Sequence, residues 1–243
     1  LVQDKIRLAA DVPRVLADQL FNGRYHCAIV PVFEYFRRPG HYKYVPGSAI
    51  AARGRVDSVL LCASAPMERL HTVYLDASSL TSVHLFQILA AEAGLKINFL
   101  DTATNPVPRP LPAKTGWVVI GDPAIAEHGK HPYTLDLASA WMELTSLPFV
   151  FAAWLVPLGT RAFDLEGVLT RSLNEGLGNL PQVARESASA FNVSPEFALD
   201  YFQNSIHYGL GEKELAGWAE FGRLCYKHGL TSQETPLVPY DGK

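Results

Sequence analysis

One feature narrows the possible folds more than any other: an alternation that stops partway along the chain. Up to about residue 156, short apolar and β-branched runs alternate with segments of helical spacing. Most runs end at a Gly, Pro, Ser or Asp turn. After Gly159 the remaining segments read as helices. Strand–helix alternation with a helical tail implies an α/β fold. Strands are expected near residues 5–10, 25–32, 56–63, 72–76, 97–100, 117–120 and 149–156. Helices are expected over 11–21, 83–93 and 135–144, and then over 164–177, 181–191, 195–207 and 212–228. Asp11 is expected to cap the first helix, with Pro13 in its first turn. Residues 35–48, rich in Arg, Pro, Gly and Tyr, read as a loop. So do residues 101–114, which contain four prolines. Breaks at 64–71 and 157–160 suggest two crossings between lobes, with residues 1–63 and 158–243 forming one lobe and 64–157 the other.

Composition excludes several function classes. The 243 residues carry a formal charge of −3, so no broadly basic surface is available for nucleic acid. The longest apolar run, 147–158, is interrupted by two prolines and falls short of the ~20 residues that cross a bilayer. It reads as a buried strand. Residues 1–13 contain no long apolar h-region, so the expected location is the cytoplasm. Cys27, Cys62 and Cys225 are odd in number and widely spaced, which favours buried thiols over a disulfide framework or a zinc site.

Motifs for phosphate cradling, α/β-hydrolase chemistry and zincin chemistry are absent from the sequence. His128 and His131 form an H-x-x-H that no nearby acid or thiol completes into a metal-ligand set, and they read as a solvated loop. His84 is expected at a surface or edge, and His207 and His228 near helix C-termini. Glu34 follows an apolar strand and reads as one half of a salt bridge.

The informative segment is Tyr74–Ser82. A strand ends and four hydroxyls, Ser78, Ser79, Thr81 and Ser82, crowd the start of a helix. First-turn N–H groups have no partner within a helix, and the dipole adds positive potential. Hydroxyls with free amides bind a carboxylate or phosphate. Plain N-capping needs only one hydroxyl. Gly121 and Asp122 end another strand, where backbone approaches a ligand or Asp122 caps a helix opening at Pro123. Both places lie at C-terminal ends of strands, where open α/β sheets bind ligands. Ser58 lies early in a strand that crosses between lobes.

Taken as a set, IVPVFEYF, IAARGRVDSVLL, LDASSLTSVHL, VVIGDPAI and LPFVFAAW resemble successive blocks of the chorismate dehydratases of the futalosine route to menaquinone. The resemblance covers residues 12 to about 154. It implies a two-lobed fold like a type II periplasmic binding protein, with a helical C-terminal tail. It also implies a lyase that removes water from chorismate to give 3-[(1-carboxyvinyl)oxy]benzoate, without cofactor or metal. On that resemblance Ser78, Ser79, Thr81 and Ser82 would hold a carboxylate. Ser58, Gly121 and Asp122 would line the cleft, with Phe149 in its apolar wall; the general base stays unassigned, a carboxylate of the substrate being one hypothesis for it. The family's opening strand and Y-L-N-x-x-P-like turn would precede residue 1. Arg14, Ala52, Leu80 and Ser146 depart from the pattern, which usually has Ser, Ser, Arg and Gly at those places. The alternative reading is a non-catalytic two-lobed binding protein, or an inactive paralogue, for a small carboxylated aromatic ligand.

Overall fold

The computed structural model describes residues 6–160, 164–191 and 193–242. Helix α1 (Pro13–Phe21) starts on proline and stops at Asn22, followed by Gly23 at φ +74°. Its N-cap is Val12; Asp11 instead accepts the Val12 amide. Residues 6–10 carry no strand, and Lys5 lies outside the described residues. There follow β1 (Ala28–Pro31), α2 (Phe33–Arg37), β2 (Tyr42–Ala52), β3 (Val59–Ala63), β4 (Thr72–Leu75) and α3 (Thr81–Glu92). Next come β5 (Asn98–Asp101), β6 (Thr115–Ile120), α4 (Gly121–Ala126), β7 (Tyr133–Asp136), α5 (Leu137–Thr145) and β8 (Phe149–Pro157). The tail holds α6 (Leu165–Gly178), α7 (Leu180–Phe191), α8 (Pro195–Asp200), a π-helical turn (Tyr201–Ser205), β9 (His207–Leu210) and α9 (Glu212–Lys227).

Among the described residues the strands form two sheets. One is four-stranded and antiparallel, in the order β1-β8-β2-β9. The other is five-stranded, in the order β5-β4-β6-β3-β7, with β3 antiparallel to its neighbours. The α/β class follows from this pairing. Three further expectations need correction. Residues 35–48 are a helix turn and a long strand rather than a loop: Tyr42, Tyr44 and Val45 are buried and ladder onto or beside β8. The tail is not purely helical, because the π turn releases residues 207–210 to pair with β2. This puts His207 on a strand. The crossings also shift. β3 belongs to the five-stranded sheet and β8 to the four-stranded one, so the chain changes sheets before each of them rather than at 64 and 157. Pro and Gly punctuate strand ends, and those breaks marked where strands stop, not where the chain crosses.

One continuous apolar cluster joins the sheets. It runs from Val30 and Phe36 through Trp218, Phe221, Trp141 and Phe149 to Leu61 and Val118. The rings meet edge-on, with Trp141 to Phe149 and Phe149 to Phe221 each 5.2 Å between centroids. Helix α9 fits tightly because Gly217 and Gly222 face Pro148 and Phe36, where a methyl group would collide. Ser146 closes α5 in the left-handed region, at φ +59°, a conformation that favours glycine.

Candidate functional site

The parallel strands β4, β6 and β7 end at one edge of the five-stranded sheet, and β3 begins there. Register places Leu75 beside Val118 and Val59 beside Ile120. The turn at 76–82, Gly121–Asp122, Ser58 and Asp136 therefore share this edge. The facing rim of the four-stranded sheet is formed where β1 ends and β8 begins. Phe33 follows β1, and its amide donates to Thr81 Oγ1 at 3.2 Å, tying the rim to the serine turn.

The structure divides the four hydroxyls. Ser78 is spent locally: its amide and hydroxyl both donate to Asp76 Oδ1, at 2.9 and 2.7 Å. Thr81 receives Phe33. Ser79 and Ser82 are only 4% and 5% exposed, yet their hydroxyls take no protein partner among the described residues. They flank the N-cap of α3, Leu80, Ser79 before it and Ser82 in the first turn, and the helix has no side-chain cap. Plain capping is thus not what these serines do. Two hydroxyls without a protein partner that keep contact with solvent, and an uncapped helix start, form a set of unspent donors, the chemistry that receives an anion.

Gly121 donates its amide to the Ser58 carbonyl at 2.7 Å, and its φ of +65° makes the turn at the strand end. Asp122 is exposed and does not cap α4, whose N-cap is Ile120. The Ser58 hydroxyl receives the phenol of Tyr201 at 2.7 Å. Burial raises the Tyr201 pKa, with the charges of Asp122 and Asp57 adding to the effect, so the phenol stays protonated. Sequence reasoning missed Tyr201 because it reaches the site from the tail through the π turn, which no periodicity signals. Phe149 is placed in the core at 1% exposure, packed edge-on by the half-buried Phe151 at 4.7 Å. It backs the rim rather than surfacing it.

His84 is not the surface or edge residue its position suggests. It lies one turn into α3, half-buried, stacked on Phe33 with 3.5 Å between ring centroids and 9° between planes. Its Nδ1 lies 2.6 Å from the Leu80 carbonyl, which can only accept, so Nδ1 carries the hydrogen. Burial lowers its pKa to about 4, and the charges of Arg37 and Arg14 push the same way. The imidazole is therefore neutral at pH 7, with Nε2 as an acceptor.

Other candidates are structural. Glu34 is fully buried and holds Arg37, Arg38 and the Tyr42 phenol. His128 bonds the Asp57 carbonyl and His131 bonds Glu127, so the H-x-x-H pair does not converge. His228 sits just past α9, paired with Glu92. Among the described residues no group of three or more His, Cys, Asp or Glu is placed to hold a metal, and no helix is long and apolar enough to cross a membrane. A pocket of about 290 Å³, lined by Trp117, Arg109, Glu127 and His131, lies over the sheet face turned away from α3 and does not touch the serine turn.

Comparison with known proteins matches residues 1–227 to a family model described as menaquinone biosynthesis. A chorismate dehydratase of Thermus thermophilus is 29% identical over 233 residues, covering 88% of this chain and 85% of that protein. Among solved structures, protein AF1704 of Archaeoglobus fulgidus superposes with a TM-score of 0.64 at 17% identity, covering 92% of this chain and 86% of that one. The periplasmic aliphatic sulphonate binding protein SsuA of Escherichia coli gives 0.63 at 15% identity, covering 97% and 83%. The fold is therefore like that of a periplasmic binding protein.

Proposed function

The chain belongs to the menaquinone-biosynthesis family, and on that premise we propose that it is a hydro-lyase that removes water from chorismate to give 3-[(1-carboxyvinyl)oxy]benzoate. The similarity to the Thermus enzyme supports the reaction. The observation that carries the site is the uncapped start of α3 with the hydroxyls of Ser79 and Ser82, which have no protein partner among the described residues and keep contact with solvent. Chorismate carries two carboxylates, and one of them would lie on these donors. Ser58, Gly121 and Asp122 border the same edge, and Tyr201 fixes the Ser58 hydroxyl.

The reaction balances without an oxidant or reductant. A proton leaves the ring carbon that bears the ether, and hydroxide leaves the neighbouring carbon. Together they form water, and the ring becomes aromatic. Aromatisation supplies driving force, so orientation and exclusion of water are the main tasks left to the protein. A carboxylate of the substrate is the proposed base, which fits a site whose own buried carboxylate, Glu34, is fully occupied. The proposed location is the cytoplasm, in keeping with three free thiols, and no nucleic acid takes part.

The test is mass spectrometry of chorismate incubated with the protein. The expected product is lighter by one water and absent without protein. Unchanged chorismate overturns the assignment.

A further inference from the structure

Arg14 stands in the first turn of α1, which packs against β1 on the four-stranded side. Its side chain is exposed and crosses to the other half, where Nη1 donates to the Ala77 carbonyl at 3.0 Å, inside the serine turn. The arginines bordering the site differ in how they are spent. Arg37 and Arg38 pair with Glu34 and Asp18, and Arg53 pairs with Glu214. Among the described residues, Arg14 makes no ion pair and uses one of its five N–H groups. The turn it reaches also contains Asp76, whose carboxylate is held by Ser78. Uncompensated, that charge would oppose an incoming anion. A guanidinium anchored at this point offsets it and leaves a planar fork free for a second carboxylate.

We infer that Arg14 is a substrate-positioning residue: its free N–H groups receive, from across the cleft, the carboxylate that rests on Ser79, Ser82 and the start of α3. The inference rests on the dehydratase reading. It makes α1 part of the specificity for a dianion, since a ligand without that carboxylate gains nothing from Arg14. It also makes closure of the two halves around the ligand depend on charge, because the cation and the hydroxyls come from opposite sides.

Three variants separate charge from the simple tie to Ala77. Arg14→Ala removes both, Arg14→Lys keeps the charge, and Arg14→Gln keeps a hydrogen-bond donor without charge. Steady-state kinetics and calorimetric titration with chorismate are compared with wild type. The expected result is a tenfold or larger rise in KM and Kd for Arg14→Ala and Arg14→Gln, with kcat changed less than threefold and Arg14→Lys recovering most of the loss. The dependence of KM on ionic strength should be shallower in Arg14→Ala than in wild type. Unchanged KM in Arg14→Ala, or recovery by Arg14→Gln, overturns the inference while leaving the dehydratase intact. Wild-type protein that neither binds nor converts chorismate overturns the functional reading, and the inference with it.

Discussion

Helices α3 and α5 start at the same edge of the same sheet, and both are preceded by polar side chains able to cap. They are finished in opposite ways. At α5, Asp136 caps the helix and both of its carboxylate oxygens are engaged. One carboxylate oxygen accepts the Ser139 amide at 3.0 Å, and the other accepts the amides of Val56 and Asp57 at 3.0 and 2.8 Å. At α3 the polar residues are more numerous, yet none caps the helix, and the hydroxyls of Ser79 and Ser82 face solvent without a protein partner among the described residues. Polarity alone does not mark a site. Buried polar groups with every bond made hold the fold together. Those at the sheet edge that keep solvent contact with bonds still to make are open to a ligand, unlike Trp218 Nε1, unpaired among the described residues inside the core.

That contrast breaks most visibly at Asp136. Replacing it with Ala strands three amides at once, two of them in the crossing between sheets, where Asp57 already sits at φ +67°. A lost cap costs about 1 kcal/mol, and each further buried donor left unpaired costs about 1–3. Asp136→Ala is expected to lose roughly 3 kcal/mol or more in urea denaturation. A loss below about 1 kcal/mol would mean that α5 is no better closed than α3.

The complementary change is smaller and of a different kind. Ser79→Ala with Ser82→Ala removes hydroxyls that support nothing in the free protein. The midpoint of unfolding should stay within experimental scatter while chorismate affinity falls about 100-fold or more, since hydrogen bonds to charged groups are worth ~1.5–3 kcal/mol each. Thr81→Ala should do the reverse, costing about 1 kcal/mol of stability by orphaning the Phe33 amide and sparing more of the affinity. Equal effects of the two changes on stability would erase the distinction between spent and unspent hydroxyls.

How far the sequence reveals this difference depends on how local its cause is. The strand ends at Leu75 and Ile120 and the crowd of hydroxyls after them are local, and so is the Ser194 cap of α8, which receives Phe197 at 3.1 Å as its Ser-Pro-Glu pattern implies. The resemblance of five blocks carries the rest of the expected fold. What escapes is set by partners distant in the chain. That Thr81 is spent depends on Phe33, 48 residues away, and that Ser58 is held depends on Tyr201, 143 residues away. Strand β9 forms because β2 offers it an edge, not because residues 207–210 have a strand pattern. His84 looks like an exposed helix residue until Phe33 covers it.

His84 gives the finest test, because it measures how well the start of α3 excludes water. Its pKa is about 4 in the folded chain against an ordinary 6.5. Between those values the unfolded chain holds the extra proton, so stability rises with pH across the window and is lost as pH falls from about 6.5 towards 4. At pH 5.5 the contribution of this one group is a loss of about 1.4 kcal/mol relative to pH 8. His207 is shifted the same way by burial and adds to the wild-type slope, so the informative quantity is the difference between wild type and His84→Gln in urea denaturation at pH 8 and 5.5. The variant should show the shallower fall by about that amount, and NMR should find the His84 ring neutral at pH 6. An ordinary His84 titration near 6.5 would mean that water reaches the ring freely, and that the start of α3 does not exclude it.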